Sequence, residues 1–235
     1  MGLFDRSGKK PEADVSPGGS TIHRYSNEDW KQTQIGFVEK SAEYGKIRDE
    51  IYERRFGEAT QVWHEVIRLV PHIDVFEYNR PKLGDGVCTL VTSGMSDLPM
   101  NTGHKPDVPR RVEIIFYCRE PRKEYSDFMR WLAHFPHDLK TWIGAFHTIP
   151  NGNPPESLWG TEMDTAFFLP PLVKADQNLS EELVLDGDPV EFLWLTPLTS
   201  RECDLKLTQG ANAILDLFQQ HKHPFVFDPN RKSYV

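Results

Sequence analysis

Two stretches of this chain limit its fold more than any others: residues 87–93, VCTLVTS, and residues 111–118, RVEIIFYC. Each is a nearly continuous β-prone run. A strand points successive side chains to opposite faces, so a run that is apolar at consecutive positions needs cover on both sides. The two runs are therefore expected as central strands of a sheet covered on each face. A chain of 235 residues can build a core of that size without disulfides or metals.

Shorter patterns flank these runs. Val62, His64 and Val66 alternate with Trp63, Glu65 and Ile67, and Ile73, Val75 and Glu77 alternate with Asp74, Phe76 and Tyr78. Both alternations predict strands, as do TAFFL at 165–169 and VEFLWL at 190–195. The helical spacing of Tyr44, Ile47, Ile51 and Tyr52 predicts a helix over 40–56 that Gly57 stops. Tyr125, Phe128, Met129, Leu132 and Phe135 predict a second helix, closed by Pro136. Trp142, Ile143 and Phe146 predict a short element after it, and Ser26, followed by Glu28 and Asp29, predicts an early helix start. Thr199 and Glu202 have capping-box spacing, and Ala211, Ile214, Leu215 and Phe218 form a buried face further on. Gly210 between them predicts a break or a close backbone contact. Helices and strands do not alternate strictly and no repeat divides the chain. The expected class is α+β, with a mixed central β-sheet flanked by helices. One compact domain is expected over 25–235, after a mobile tail at 1–24 rich in Gly, Ser, Pro and Lys.

Charge narrows the function. Lys and Arg number 27 against 35 Asp and Glu, for a net charge of −8. Such a balance argues against nucleic acid or an anionic membrane as the main partner, because phosphates demand a basic surface. The first residues lack the apolar core of a secretory signal, and no run approaches the length of a membrane helix. Cys88, Cys118 and Cys203 are odd in number and far apart, which predicts buried free thiols in a reducing compartment and a cytoplasmic location.

Recognisable catalytic spacing is sparse. His134 and His137 are three apart, but Pro136 between them is expected to break the helical geometry that would place both rings on one face; His221 and His223 are two apart with no carboxylate or thiol at ligand spacing nearby, and no Cys joins either pair in a zinc pattern, so no metal is expected. The segment from Gly94 to Leu98 has the outline of a nucleophile elbow, but Leu98 stands where that turn requires glycine and Pro99 discourages the helix that should follow. Ser93 and Ser96 are expected to cap rather than attack. A hydrolase-like site at the Ser93–Asp97 turn stays as an alternative, and a histidine metal-binding protein as another. Asp74, predicted to point inward, calls for a partner such as Arg68 or Arg80. No phosphate loop or dinucleotide fingerprint is present, so no cofactor is expected and no catalytic residue is assigned.

The most distinctive text is TLVTSGMSDLPM, from Thr89 to Met100. With it, in order, come His72-Ile73-Asp74-Val75, Arg111-Val112-Glu113-Ile114, Trp131-Leu132, Thr141-Trp142, His147-Thr148, and Trp194-Leu195-Thr196-Pro197-Leu198-Thr199 with Glu202 and Gly210. Over roughly residues 40–232 this series resembles the Suppressor of fused domain family. The resemblance implies a mixed sheet flanked by helices and a non-catalytic, protein-binding role. The family's animal member sequesters a transcription factor of Hedgehog signalling and carries a second, C-terminal domain for which this chain is too short. Single-domain members are largely bacterial, and several resemble immunity proteins that neutralise a toxin. A protein partner follows from the resemblance, and the acidic surface suits a basic toxin domain by complementary charge. The turn after the central strand offers small side chains, hydroxyls and backbone amides. Thr92, Ser93, Gly94, Met95, Ser96, Asp97 and Pro99 are therefore the candidate binding residues, the alternative being a purely structural corner.

Overall fold

The computed structural model describes residues 14–26, 36, 38–103 and 105–235. The helix expected from Ser26 falls outside the described residues after Ser26 itself. The two apolar runs are β5 (Cys88–Ser93) and β6 (Arg111–Cys118), paired antiparallel in the middle of the main sheet. Outward from β5 lie β4 (Asp74–Asn79) and the edge strand β3 (Gln61–Trp63), both antiparallel. On the other side β6 runs parallel to β10 (Asp188–Leu195), which pairs antiparallel with β8 (Met163–Leu169). The short strands β7 (Thr148–Pro150) and β11 (Leu198–Thr199) pair with β8, and β9 (Val184–Leu185) pairs with β10. One parallel pairing among antiparallel ones makes the sheet mixed, as expected.

Both faces of the sheet are covered, which is why its central strands read as unbroken apolar runs. Helix α1 (Ser41–Phe56) lays Tyr44, Ile51, Tyr52 and Phe56 against Val91, Ile115, Tyr117 and Trp194. Helix α2 (Lys123–Asp138) covers the opposite face with Tyr125, Phe128, Met129, Leu132 and Ala133, packed with Ile73, Leu90, Ile114 and Phe116. Those five positions recur at three and four residues and form one apolar stripe. After the short α3 (Leu179–Glu182) come helices α4 (Ser200–Gln209) and α5 (Ala211–Gln220), followed by a segment of turns and loop to Val235. The capping box at Thr199 and Glu202 is formed, and Gly210 separates α4 from α5.

The N-terminal hairpin β1 (Asp14–Val15) and β2 (Thr21–Ile22) lies within the stretch expected to be a tail. Its tip rests on the α4–α5 junction, where the Gly18 N–H donates to the Leu207 carbonyl at 2.8 Å. A Cβ on Gly18 would stand 2.3 Å from the Gly210 nitrogen, so two backbones meet where side chains cannot fit.

Several local expectations are corrected. Pro136 does not close α2, which continues to Asp138; a proline in the final turn interrupts little of the hydrogen-bond ladder. Trp142 to Phe146 form no helix but lead through a turn into β7, with Phe146 at positive φ. The alternation over 62–67 yields a strand only as far as Trp63, and Val66 and Ile67 stand 96% and 59% exposed. Cys88 and Cys118, distant in the chain, are direct cross-strand partners.

Candidate functional site

The distinctive motif folds into a corner at the end of β5. Gly94 takes φ of 121°, and a Cβ there would lie 1.9 Å from the His72 carbonyl oxygen, so only glycine fits. Met95–Asp97 then form a single 3-10 turn that ends in extended backbone at Leu98. The helix an elbow would require is absent.

A buried carboxylate organises this corner. Glu113 lies within β6 on the face toward α1 and has no solvent exposure. Its Oε2 accepts from the Thr92 hydroxyl at 2.6 Å. Its Oε1 accepts from the Ser96 hydroxyl at 2.6 Å, the Ser96 N–H at 3.0 Å and the Gly94 N–H at 3.1 Å. Arg48, buried in the apolar stripe of α1, pairs with Asp97 and donates to Ser93 Oγ at 2.9 Å. Ser41 also donates to Asp97. Arg111 donates to the Ser96 and Asp97 carbonyls at 2.6 and 3.0 Å, and His137 Nε2 lies 3.0 Å from the Met95 carbonyl. Burial pushes the Glu113 carboxyl above its usual value, while Arg48 and the hydroxyl donors pull against that.

Thr92, Ser93, Gly94, Met95, Ser96 and Asp97 are thus buried, and of the candidate binding residues only Pro99 is exposed. The hydroxyls and amides expected to meet a partner are spent on the protein's own interior. For the hydrolase alternative, Ser96 does have a carboxylate within reach. With Ser96 and Glu113 both at zero exposure, however, a substrate has no approach to that hydroxyl.

His134 and His137 turn to different partners, whereas His221 and His223 both contact Tyr234. His134 Nε2 meets Glu65 at 2.7 Å, and burial lowers the His137 pKa to about 4. His221 stacks on Tyr234 and His223 on Phe218. His223 has both ring nitrogens occupied, by Thr196 at 3.0 Å and Tyr234 at 2.9 Å. Among the described residues no group of three or more His, Cys, Asp or Glu side chains is arranged to hold a metal ion. Asp74 is met by His64 at 2.9 Å and by the Glu65 N–H at 2.8 Å, while Arg80 turns instead to Asp176 at 3.0 Å.

An open groove lies elsewhere. A groove of about 400 Å³ runs between the segment after β3 and the first turns of α2. Val62, Trp63, Val66, Ile67 and Leu69 supply its apolar lining, and Lys123, Asp127 and Arg130 its charged wall. Arg130 anchors the segment's base by donating to the Trp63 carbonyl at 2.7 Å and the Ile73 carbonyl at 3.1 Å. Alternation alone places Val66 and Ile67 in a strand interior and does not mark this groove. Nor does spacing single out Glu113 and Arg48, although a charge inside a doubly apolar run is itself a signal of a buried, paired group.

The sequence model of the Suppressor of fused protein family matches residues 70–232. Among solved structures, a Suppressor of fused homolog from Neisseria gonorrhoeae FA 1090 superposes with a TM-score of 0.61 at 16% identity, covering 83% of this chain and 98% of that one. The Sufu–Fu complex structure gives a TM-score of 0.55 at 9% identity, covering 82% of this chain and 91% of that one. At these identities the likeness is one of fold. A comparison with curated protein sequences gives no match. Among the described residues, no helix is long and apolar enough to cross a membrane.

Proposed function

The chain belongs to the Suppressor of fused family, and from that premise we propose that it is a non-catalytic protein-binding module of the immunity type, which masks a partner toxin inside the cell. The observation that carries the reading is the contrast between the two sites. The Thr92–Asp97 turn of the family motif is buried and hydrogen-bonded within the protein, whereas the apolar side chains of Val66 and Ile67 stand in solvent beside an open groove at the sheet edge. An exposed valine and isoleucine next to an edge strand are a cost to an isolated protein and a contact surface for a bound one. Within the motif the role of Thr92 to Asp97 is to hold the scaffold, and Pro99, with the half-buried Leu98 before it, is the part in a position to touch a partner. The net charge of −8 speeds encounter with a basic toxin domain. The similar Sufu–Fu structure is itself a complex between Sufu and a protein partner, which supports a binding role.

The test is capture of the tagged full chain from its native cells, alongside a chain carrying Val66→Asp and Ile67→Asp. The wild-type chain should bring down one stoichiometric protein, and the double variant should lose it while keeping the wild-type melting temperature. Recovery of no stoichiometric protein would overturn the binding role. Equal recovery by both chains would overturn the groove as its site.

A further inference from the structure

The strand register places two of the three cysteines side by side. Cys88 opens β5, Cys118 closes β6, and the antiparallel ladder sets them directly opposite each other. Both side chains face α2: Cys118 belongs to that core layer and Cys88 packs against it. Direct partners across an antiparallel ladder have Cα atoms roughly 4.5–5.5 Å apart, within the ~4.4–6.8 Å that a disulfide spans. Both are free thiols, with Cys88 half-buried and Cys118 buried. A small oxidant therefore reaches Cys88 first, with Cys118 behind it. Burial pushes the Cys118 thiol up to about 12, and its neighbour Cys88 adds to that rise.

We propose that Cys88 and Cys118 are a reversible redox pair, a cross-strand dithiol that a peroxide converts to a disulfide. In the first step the Cys88 thiolate attacks hydrogen peroxide; an S–O bond forms, the O–O bond breaks, and hydroxide leaves as water with the thiol's proton. In the second step the Cys118 sulfur attacks the resulting sulfenic sulfur. An S–S bond forms, the S–O bond breaks, and the departing hydroxide takes the Cys118 proton as a second water. The two thiols lose two electrons and one peroxide becomes two waters. Because burial raises both thiols above their ordinary value, the thiolate fraction is small at neutral pH and the reaction quickens as pH rises. The bond staples β5 to β6 at the end away from the Glu113 corner, and the loop it closes contains the whole family motif.

The experiment treats the purified full chain with hydrogen peroxide at about pH 8, where thiolate is more abundant. Remaining thiols are then alkylated, and the protein is digested and mapped by mass spectrometry without reductant. The expected product is a pair of peptides joined through Cys88 and Cys118, two hydrogens lighter than their sum, which dithiothreitol separates, with Cys203 alkylated throughout. Cys88→Ser should abolish the linked pair while retaining the wild-type urea midpoint. Recovery of Cys88 and Cys118 as alkylated thiols, or as sulfinic acids with no link between them, would overturn the proposal. Links to Cys203 or between chains would do the same.

Discussion

Replacing Glu113 by alanine should be among the most damaging single changes in this protein. The carboxylate accepts four hydrogen bonds, from the Thr92 and Ser96 hydroxyls and the Gly94 and Ser96 amides. Removing it leaves four buried donors without that acceptor, and each unsatisfied donor costs about 1–3 kcal/mol. Simple addition would reach ~4 kcal/mol even at the low end. Partial relaxation and water entry set the expectation at ~3–5 kcal/mol, the range for breaking a buried charged network. That is a large part of the ~5–15 kcal/mol that holds a typical domain together. The ionised carboxylate is not itself favoured by burial. Its folded pKa is raised, so the stability it contributes is fully present below the unfolded value of 4.5 and declines as pH rises through the folded value. The loss in Glu113→Ala therefore comes from the stranded donors rather than from a forfeited charge. Urea denaturation followed by tryptophan fluorescence measures it, with the m-value checked for constancy. A midpoint shift corresponding to less than ~1 kcal/mol would refute the view of Glu113 as the organiser of the corner.

Four further outcomes follow from the same geometry. Gly94→Ala places a methyl 1.9 Å from the His72 carbonyl at φ of 121°, so a loss of at least ~3 kcal/mol or insoluble expression is expected; a wild-type urea midpoint would contradict the close approach. Arg231→Ala strips the buried Glu202 of its bidentate partner at 2.5 and 2.8 Å and should cost ~3–5 kcal/mol. Although burial pushes the Glu202 carboxyl up, Arg231 and the Thr199 and Tyr234 amides hold it below its usual value, so its stabilising effect should fade as pH falls below 4.5; equal pH profiles for wild type and Glu202→Gln would refute this. His137, His147 and His223 are each lowered from 6.5 to about 4, chiefly by burial. Their contribution should be complete above pH 6.5 and lost as pH falls toward about 4, with proton uptake on unfolding in that window as the readout.

Strands and helices with long, strong residue patterns are legible in the amino-acid sequence. VCTLVTS and RVEIIFYC had to be covered on both faces, and α2, the capping box at Thr199 and the stop at Gly57 followed from side-chain spacing and backbone chemistry. These features are local: a period, a cap or a turn is written in neighbouring residues. The remaining features arise from packing between distant segments. It turned the motif's hydroxyls inward by placing Glu113 and Arg48, from two other elements, against them. It ended β3 at Trp63 and left Val66 and Ile67 in solvent, although their alternation matched that of a buried strand. It also brought Cys88 opposite Cys118, a pairing fixed by register. Which partners meet depends on contacts between residues far apart in the chain, and periodicity within one segment carries no information about them.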